Sequence, residues 1–209
     1  SNLTSANLTD ANLTDAVANS ANLTSATLTD ANFTGANLAN ATLTSATTTR
    51  ANFTNADLTS VSAASTTFTD VTATGATFAY AGLTGSTISG GAFTGANLMV
   101  AHFDNGTITG ADFTDAVMLN ATFTSATLAN TTLVRAGLAG AVFTSAVFTA
   151  ATVAVPGSTA TDADFAGASF SKASLAGLIA TNATFDGATF ANTSADSGYF
   201  VGASMAGIQ

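Results

Sequence analysis

The chain has 209 residues, 47% of them hydrophobic and 7% charged, and its net charge of −9 comes from 12 Asp set against Arg50, Arg135 and Lys172. That balance is too apolar and too weakly charged for a disordered chain, and it lacks the clustered Lys and Arg that neutralise phosphates, so nucleic-acid binding is not expected. The absence of cysteine excludes disulfides and thiolate metal sites, and no run of 18 apolar residues offers a membrane-spanning helix, so no membrane insertion is expected; Ser1 already lies inside the repeat, so no signal peptide is expected either.

The chain opens directly on a repeat of period five. Stepping from Leu3 through Leu8, Leu13, Ala18 and Leu23 to Phe143, Phe148 and Val153 gives 31 centres in one register, of which 27 are Leu, Phe, Ile, Met or Val; the exceptions are Ala18, Thr48, Ala63 and Ala73. Two residues before the centre stands Ala in 23 of the 31 units, so a small and a large apolar group alternate on one side. Five matches neither the helical period of 3.6 nor a continuous strand's period of 2, which predicts a short extended segment followed by a bend. Two residues after the centre, 25 of the 31 units carry Ser, Asp, Asn or Gly, the residues suited to a corner.

Past Val153 the register breaks and resumes two residues late, through Phe165, Phe170, Leu175, Phe185, Phe190, Phe200 and Met205. The break coincides with the only proline, in Val155-Pro156-Gly157, which cannot donate to a strand ladder. A two-residue bulge at a corner near Pro156-Gly157 is expected, within one domain over 1–209.

Ala6-Asn7-Leu8-Thr9-Asp10, Ala31-Asn32-Phe33-Thr34-Gly35 and Ala111-Asp112-Phe113-Thr114-Asp115 resemble the units of pentapeptide-repeat proteins over essentially the whole chain. The resemblance implies an all-β, right-handed quadrilateral parallel β-helix, a solenoid with four units per coil and about ten coils, roughly 50 Å long at a strand spacing of ~4.8 Å. It carries little weight for function, because the same fold hosts several.

Four units per coil sort the outer residues into four faces. One face shows Thr on either side of the centre: Thr27 and Thr29, Thr47 and Thr49, Thr67 and Thr69, Thr87 before Ser89, Thr107 and Thr109. Such rows resemble the flat hydroxyl and methyl lattices of ice-binding solenoids, and they equally suit a wall stiffened by β-branched cross-strand pairs. Another face brings Tyr80, Met99, Val100, Val117 and Leu119 together as an outward apolar patch, the mark of a lateral contact with another protein. At the ends, Asn2 and Leu3 enter in full register and Phe200 and Met205 lie in the last units, which suggests end-to-end stacking of identical cross-sections.

His102 and Asp104 flank Phe103, but one His with one Asp is no credible metal site, and no cofactor is expected. Arg50 falls in a corner column with Asp30 and Asp70, and Arg135 one coil from Asp115, where each relieves carboxylate repulsion. With no Cys, no Glu and one His, the chain offers neither a nucleophile with its base nor a tuned carboxylate pair, so an enzyme is not expected. The frequent Asn-x-Thr sequons follow from the repeat itself. The expectation is therefore a non-enzymatic structural or interaction protein, extracellular or at the cell surface, that partners itself end to end as a filament or larger assembly. Ice binding through the Thr face is the alternative. The acidic DNA-mimic inhibitors of gyrase in the family are a third comparison, weakened because the 12 Asp spread over all faces.

Overall fold

The computed structural model describes residues 1–153 and 158–209. On either side of one register shift, the residue before each centre forms a parallel bridge to the residue 20 positions later, as in Asn2 to Asn22, Asn7 to Thr27, Asn12 to Asn32 and Val17 to Asn37. These four bridges per 20 residues define four walls, taken here in that order. On the first wall the bridges run unbroken through ten steps, from Asn2 to Ser204. On the second they broaden into strands: β1 (Thr67–Thr69), β2 (Thr87–Ser89), β3 (Thr107–Thr109), β4 (Thr127–Ala129), β5 (Val147–Thr149), β6 (Ser169–Ser171) and β7 (Thr189–Ala191). These make one parallel seven-stranded sheet in chain order, spanning six coil-to-coil steps. The described residues contain no helix.

A complete account of the backbone N–H groups explains why the unit reads Ala-Asn-Leu-Thr-corner. The centre and corner donate to the following coil, as Leu3 does to the Asn22 carbonyl (2.7 Å) and Ser5 to Thr24 (2.8 Å). The wall residue donates to the preceding coil, as Asn22 does to Ser1 (2.9 Å), and the Ala of the next unit closes the turn, Ala6 to Leu3 (3.0 Å). One N–H per unit is left over, that of the residue after the centre. The Asn or Asp before the centre accepts it: Thr4 donates to Asn2 Oδ1 (3.1 Å), Thr59 to Asp57 Oδ1 (2.9 Å) and Thr114 to Asp112 Oδ1 (2.9 Å). The Thr hydroxyl often adds a second bond to the same oxygen, as Thr4 does to Asn2 at 2.7 Å.

The corner residue lies in the left-handed region in unit after unit, at φ 56° in Ser5, 57° in Asp30 and 66° in Gly35. Asn, Asp and Gly tolerate that conformation, which accounts for their frequency at the corners. On the second wall the turn bonds close after Leu8, Leu28 and Thr48 but after none of β1 to β7. The three-residue strands thus begin where the corner opens.

Centre and Ala side chains fill the interior. From Ala21 to Ala188 nearly all are fully buried, while Leu3, Leu8, Leu13, Phe190 and Phe200 in the outermost coils are only partly covered. Phenylalanines one coil apart stack face to face: Phe103, Phe123, Phe143, Phe165 and Phe185 form a column with centroid separations of 4.7, 4.7, 5.0 and 4.8 Å. Each such ring contributes roughly 1.5–3 kcal/mol by burial, with ~1 kcal/mol more per stacked pair. The centre at Thr48 is also buried, and its hydroxyl donates to the Thr67 carbonyl at 3.0 Å.

The register shift shows in the ladder. Gly137 pairs with Thr159, Val142 with Asp164 and Thr152 with Ser174, each 22 apart, and from Thr159 to Ile179 the spacing is again 20. Four residues therefore separate Val153 from Ser158, where every other corner has two. The bulge expected at 155–157 itself lies outside the described residues.

Candidate functional site

With the interior occupied by apolar side chains, chemistry is confined to the outer walls. Among the described residues there is no pocket and no cluster of three or more metal-ligating side chains.

The fourth wall carries the apolar patch. Its bridged column runs Thr77, Asn97, Val117, Gly137, Thr159, Ile179, Tyr199. Beside it, the Tyr80 N–H donates to the Met99 carbonyl (2.9 Å) and the Val100 N–H to that of Leu119 (2.9 Å), so these side chains stand on adjoining coils. Tyr80 is 53% exposed and Val117 41%; Met99, Val100 and Leu119 are half-buried against their neighbours. All five residues expected there share one surface over three successive coils. Farther along the same wall, Ile179, Tyr199 and Val201 form a second exposed group.

Tyr80 and Val100 occupy corners at φ 60° and 56°. A bulky or β-branched side chain is disfavoured there by contact between its Cβ and the following carbonyl. No sequence signal marks this strain beyond the departure of both residues from the Ser, Asp, Asn and Gly of most other corners.

The second wall aligns the threonines in register. Thr27 bridges Thr47 and Thr47 bridges Thr67; Thr67 pairs with Thr87, Thr87 with Thr107, and on the other side of the centre Thr69 pairs with Ser89 and Ser89 with Thr109. Thr29 and Thr49 lie beside the first of these rows. Val147 and Ala129 interrupt the hydroxyl pattern farther on.

At the ends, Asn2 is exposed and Leu3 half-buried in the first coil; in the last, Phe200 is half-buried and Met205 39% exposed. These residues lie at opposite extremes of the rod and are not brought together within one chain.

Two ion pairs lie along corner columns. Arg50 chelates Asp30 through Nε (2.7 Å) and Nη2 (2.5 Å), and Arg135 chelates Asp115 through the same atoms (both 2.6 Å). The guanidinium hydrogen bonds hold both carboxyls below the ordinary carboxylate range, and each arginine is raised in return. Asp70 does not share the Arg50 fork. Asp186 is likewise lowered, by the Ser204 hydroxyl (2.5 Å) and the Ala206 N–H (2.8 Å).

His102 and Asp104 are linked through a third residue that sequence reasoning did not single out. Thr122, one coil on, donates its hydroxyl to Asp104 Oδ2 (2.7 Å) and lies 3.0 Å from His102 Nδ1. Because that hydroxyl proton is engaged by the carboxylate, His102 Nδ1 is the donor to Thr122 Oγ1. The hydroxyl is thus fixed as a bridge between the two side chains.

A family model for pentapeptide repeats matches residues 1–38, 36–72, 51–90, 101–136 and 161–194, with eight copies. Among solved structures, one similar to this chain is that of HetL, a pentapeptide repeat protein involved in heterocyst differentiation regulation from the cyanobacterium Nostoc sp. strain PCC 7120. It is 22% identical, over 90% of this chain and 86% of that one, with a TM-score of 0.56. A trypsin-treated form of QnrB1, a plasmid-mediated fluoroquinolone resistance protein, aligns at 18% identity over 78% of this chain and 86% of its own, with a TM-score of 0.41. At 22% identity the likeness to HetL concerns the fold alone. No curated protein matches the chain in sequence.

Proposed function

The chain belongs to the pentapeptide-repeat family, and on that premise we propose that it is a non-enzymatic interaction scaffold that associates with further copies of itself through its outer surfaces. The observation carrying this reading is the patch of Tyr80, Met99, Val100, Val117 and Leu119, contiguous on three coils of the fourth wall, with Tyr80 and Val117 exposed. Contiguous outward apolar surface on an otherwise polar rod marks a protein contact. Axial stacking belongs to the same reading, with the coil of Asn2 and Leu3 meeting that of Phe200 and Met205, since the cross-section there repeats that of every other coil. The Thr- and Asn-rich, Lys-poor exterior fits an extracellular or cell-surface setting.

Sedimentation velocity over a wide concentration range tests lateral association, and negative-stain microscopy tests filaments. Concentration-dependent association that weakens in a Tyr80→Ser, Val117→Ser, Leu119→Ser variant is expected. Dispersed monomers at every concentration would refute the proposal.

A second reading, ice binding, is favoured by one specific observation: the second wall, which bears the Thr rows, is the one that forms a continuous three-residue sheet, and its hydroxyls repeat at the strand spacing of ~4.8 Å. Thermal hysteresis abolished by Thr67→Tyr or Thr69→Tyr is the expected result; no hysteresis in the parent protein ends that reading.

A further inference from the structure

We infer that the lateral partner of the fourth wall is a second copy running antiparallel, related by a two-fold axis through the coil of Gly137, Ala139 and Gly140. This rests on the lateral reading above and adds to it a register.

Gly137 provides the first support. It stands at an outward wall position without a positive φ, and a Cβ built on it meets nothing within 4 Å, so neither its conformation nor its own chain requires a glycine. Glycine in a strand with no internal reason marks a place where another backbone can come close. Gly82 on the first wall is similarly free, but its bridge partners are Ser62 and His102, not apolar groups.

The second support is how the wall reads outward from that coil. An axis in the interface and perpendicular to the rods keeps each column opposite itself and exchanges coils at equal distances from Gly137. One coil away, Val117 and Leu119 then face Thr159 and Thr161. Two coils away, Asn97 faces Ile179. Three coils away, Tyr80 faces Gly202, Ala79 faces Val201 and Thr77 faces Tyr199. The largest groups of each half meet small or polar ones, and the two exposed apolar groups of the wall cover each other's coils.

Charge supplies the third. Over these seven coils, among the described residues, the only charged residue at an outward position or following corner of the fourth wall is Asp162, in a chain of net charge −9; the preceding corner carries Asp115 and Arg135, already paired with each other. The two-fold sets Asp162 opposite Asn120, so no two carboxylates are juxtaposed. From strand spacing and rise the footprint is roughly 350 Å² per copy, against about 800 Å² in a standard interface. The dimer is therefore a weak one, forming and dissociating with concentration.

Because the chain has no cysteine, single cysteines report position cleanly. With a short bis-maleimide, Ala139→Cys is expected to cross-link to itself and Ala39→Cys, in the same column far from the axis, is not. Thr77→Cys mixed with Tyr199→Cys should cross-link, and neither should alone. Gly137→Trp should leave the circular dichroism spectrum unchanged and weaken association at least tenfold by sedimentation. Ala39→Cys cross-linking to itself as fast as Ala139→Cys, or Gly137→Trp associating like the parent, overturns the antiparallel register. Concentration-dependent dimers without the expected cross-links sink this inference and leave the lateral reading standing, whereas monomers at all concentrations sink both.

Discussion

Val100 holds a left-handed corner at φ 56° with its N–H still donating to Leu119 at 2.9 Å, so the fold accepts the strain without giving up a hydrogen bond. For a residue with a Cβ this conformation costs about 1–2 kcal/mol, more at a β-branched position than at Asn or Asp, whose side chains bond locally. Val100→Asn should therefore stabilise the monomer by about 1 kcal/mol. Val100→Gly should gain less, about 0.5 kcal/mol, because the flexible unfolded glycine chain offsets part of the relief. The reverse change at an ordinary corner, Asn55→Val at φ 55°, should cost about 1 kcal/mol or more. Urea unfolding at concentrations low enough to keep the protein monomeric measures all three. For a chain of this size each kcal/mol corresponds to about 2–4 °C in melting temperature. Val100→Asn that destabilises would refute the steric argument. If it stabilises the monomer while weakening self-association, the valine is retained for the surface it presents and not for the coil it closes.

Ser86 and Thr66 are buried on adjoining coils with opposite hydrogen-bond status. The Thr66 hydroxyl donates to the Leu43 carbonyl at 2.6 Å, whereas Ser86 Oγ has no partner. Ser86→Ala should be neutral or stabilising by up to ~1 kcal/mol, and Thr66→Ala should destabilise by about 1 kcal/mol, both read from urea midpoints; the opposite order would refute the assignment. Phe143→Ala removes a ring stacked between Phe123 and Phe165 and should cost about 3–5 kcal/mol, while Phe143→Leu should cost clearly less by the same assay. Asp115 is held below its ordinary value in the folded state, so its contribution is present at neutral pH and is lost as pH falls through the lowered value. The melting temperature of Asp115→Asn should trail the parent at pH 7 and converge with it in acid; a gap that widens on acidification would show the sign to be wrong.

The fold was legible because its one rule is local and repeats. Each fifth residue is apolar, each corner is small or turn-forming, and the pairing follows without any long-range inference. The two-residue slip was equally readable, since counting in fives from Val153 to Phe165 and Phe170 is enough to fix its size. What the sequence pattern did not display was accounting across coils. The Asn or Asp before a centre accepts the one backbone N–H per unit that the backbone of neighbouring coils leaves unpaired, as at Asn2 and Thr4, and in a few units a carboxylate of the preceding coil takes it instead, as Asp104 does from Thr124. The bridge from His102 through Thr122 to Asp104 joins residues up to 20 apart whose side chains meet only once the coil is closed. The strain at Tyr80 and Val100 likewise depends on a backbone angle, which composition can suggest only by exception.

The column of stacked phenylalanines gives the rod a mechanical direction. From Phe103 to Phe185 one interior side is keyed by rings lying face to face at 4.7 to 5.0 Å, joined by Phe148, Phe170 and Phe190 on the next, whereas the interior from Leu3 to Leu43 is mainly leucine. Each stacked ring pair adds ~1 kcal/mol beyond burial, which contacts between leucines do not. Under load or heat the leucine coils are therefore expected to loosen before the aromatic ones, so that the rod opens from one end.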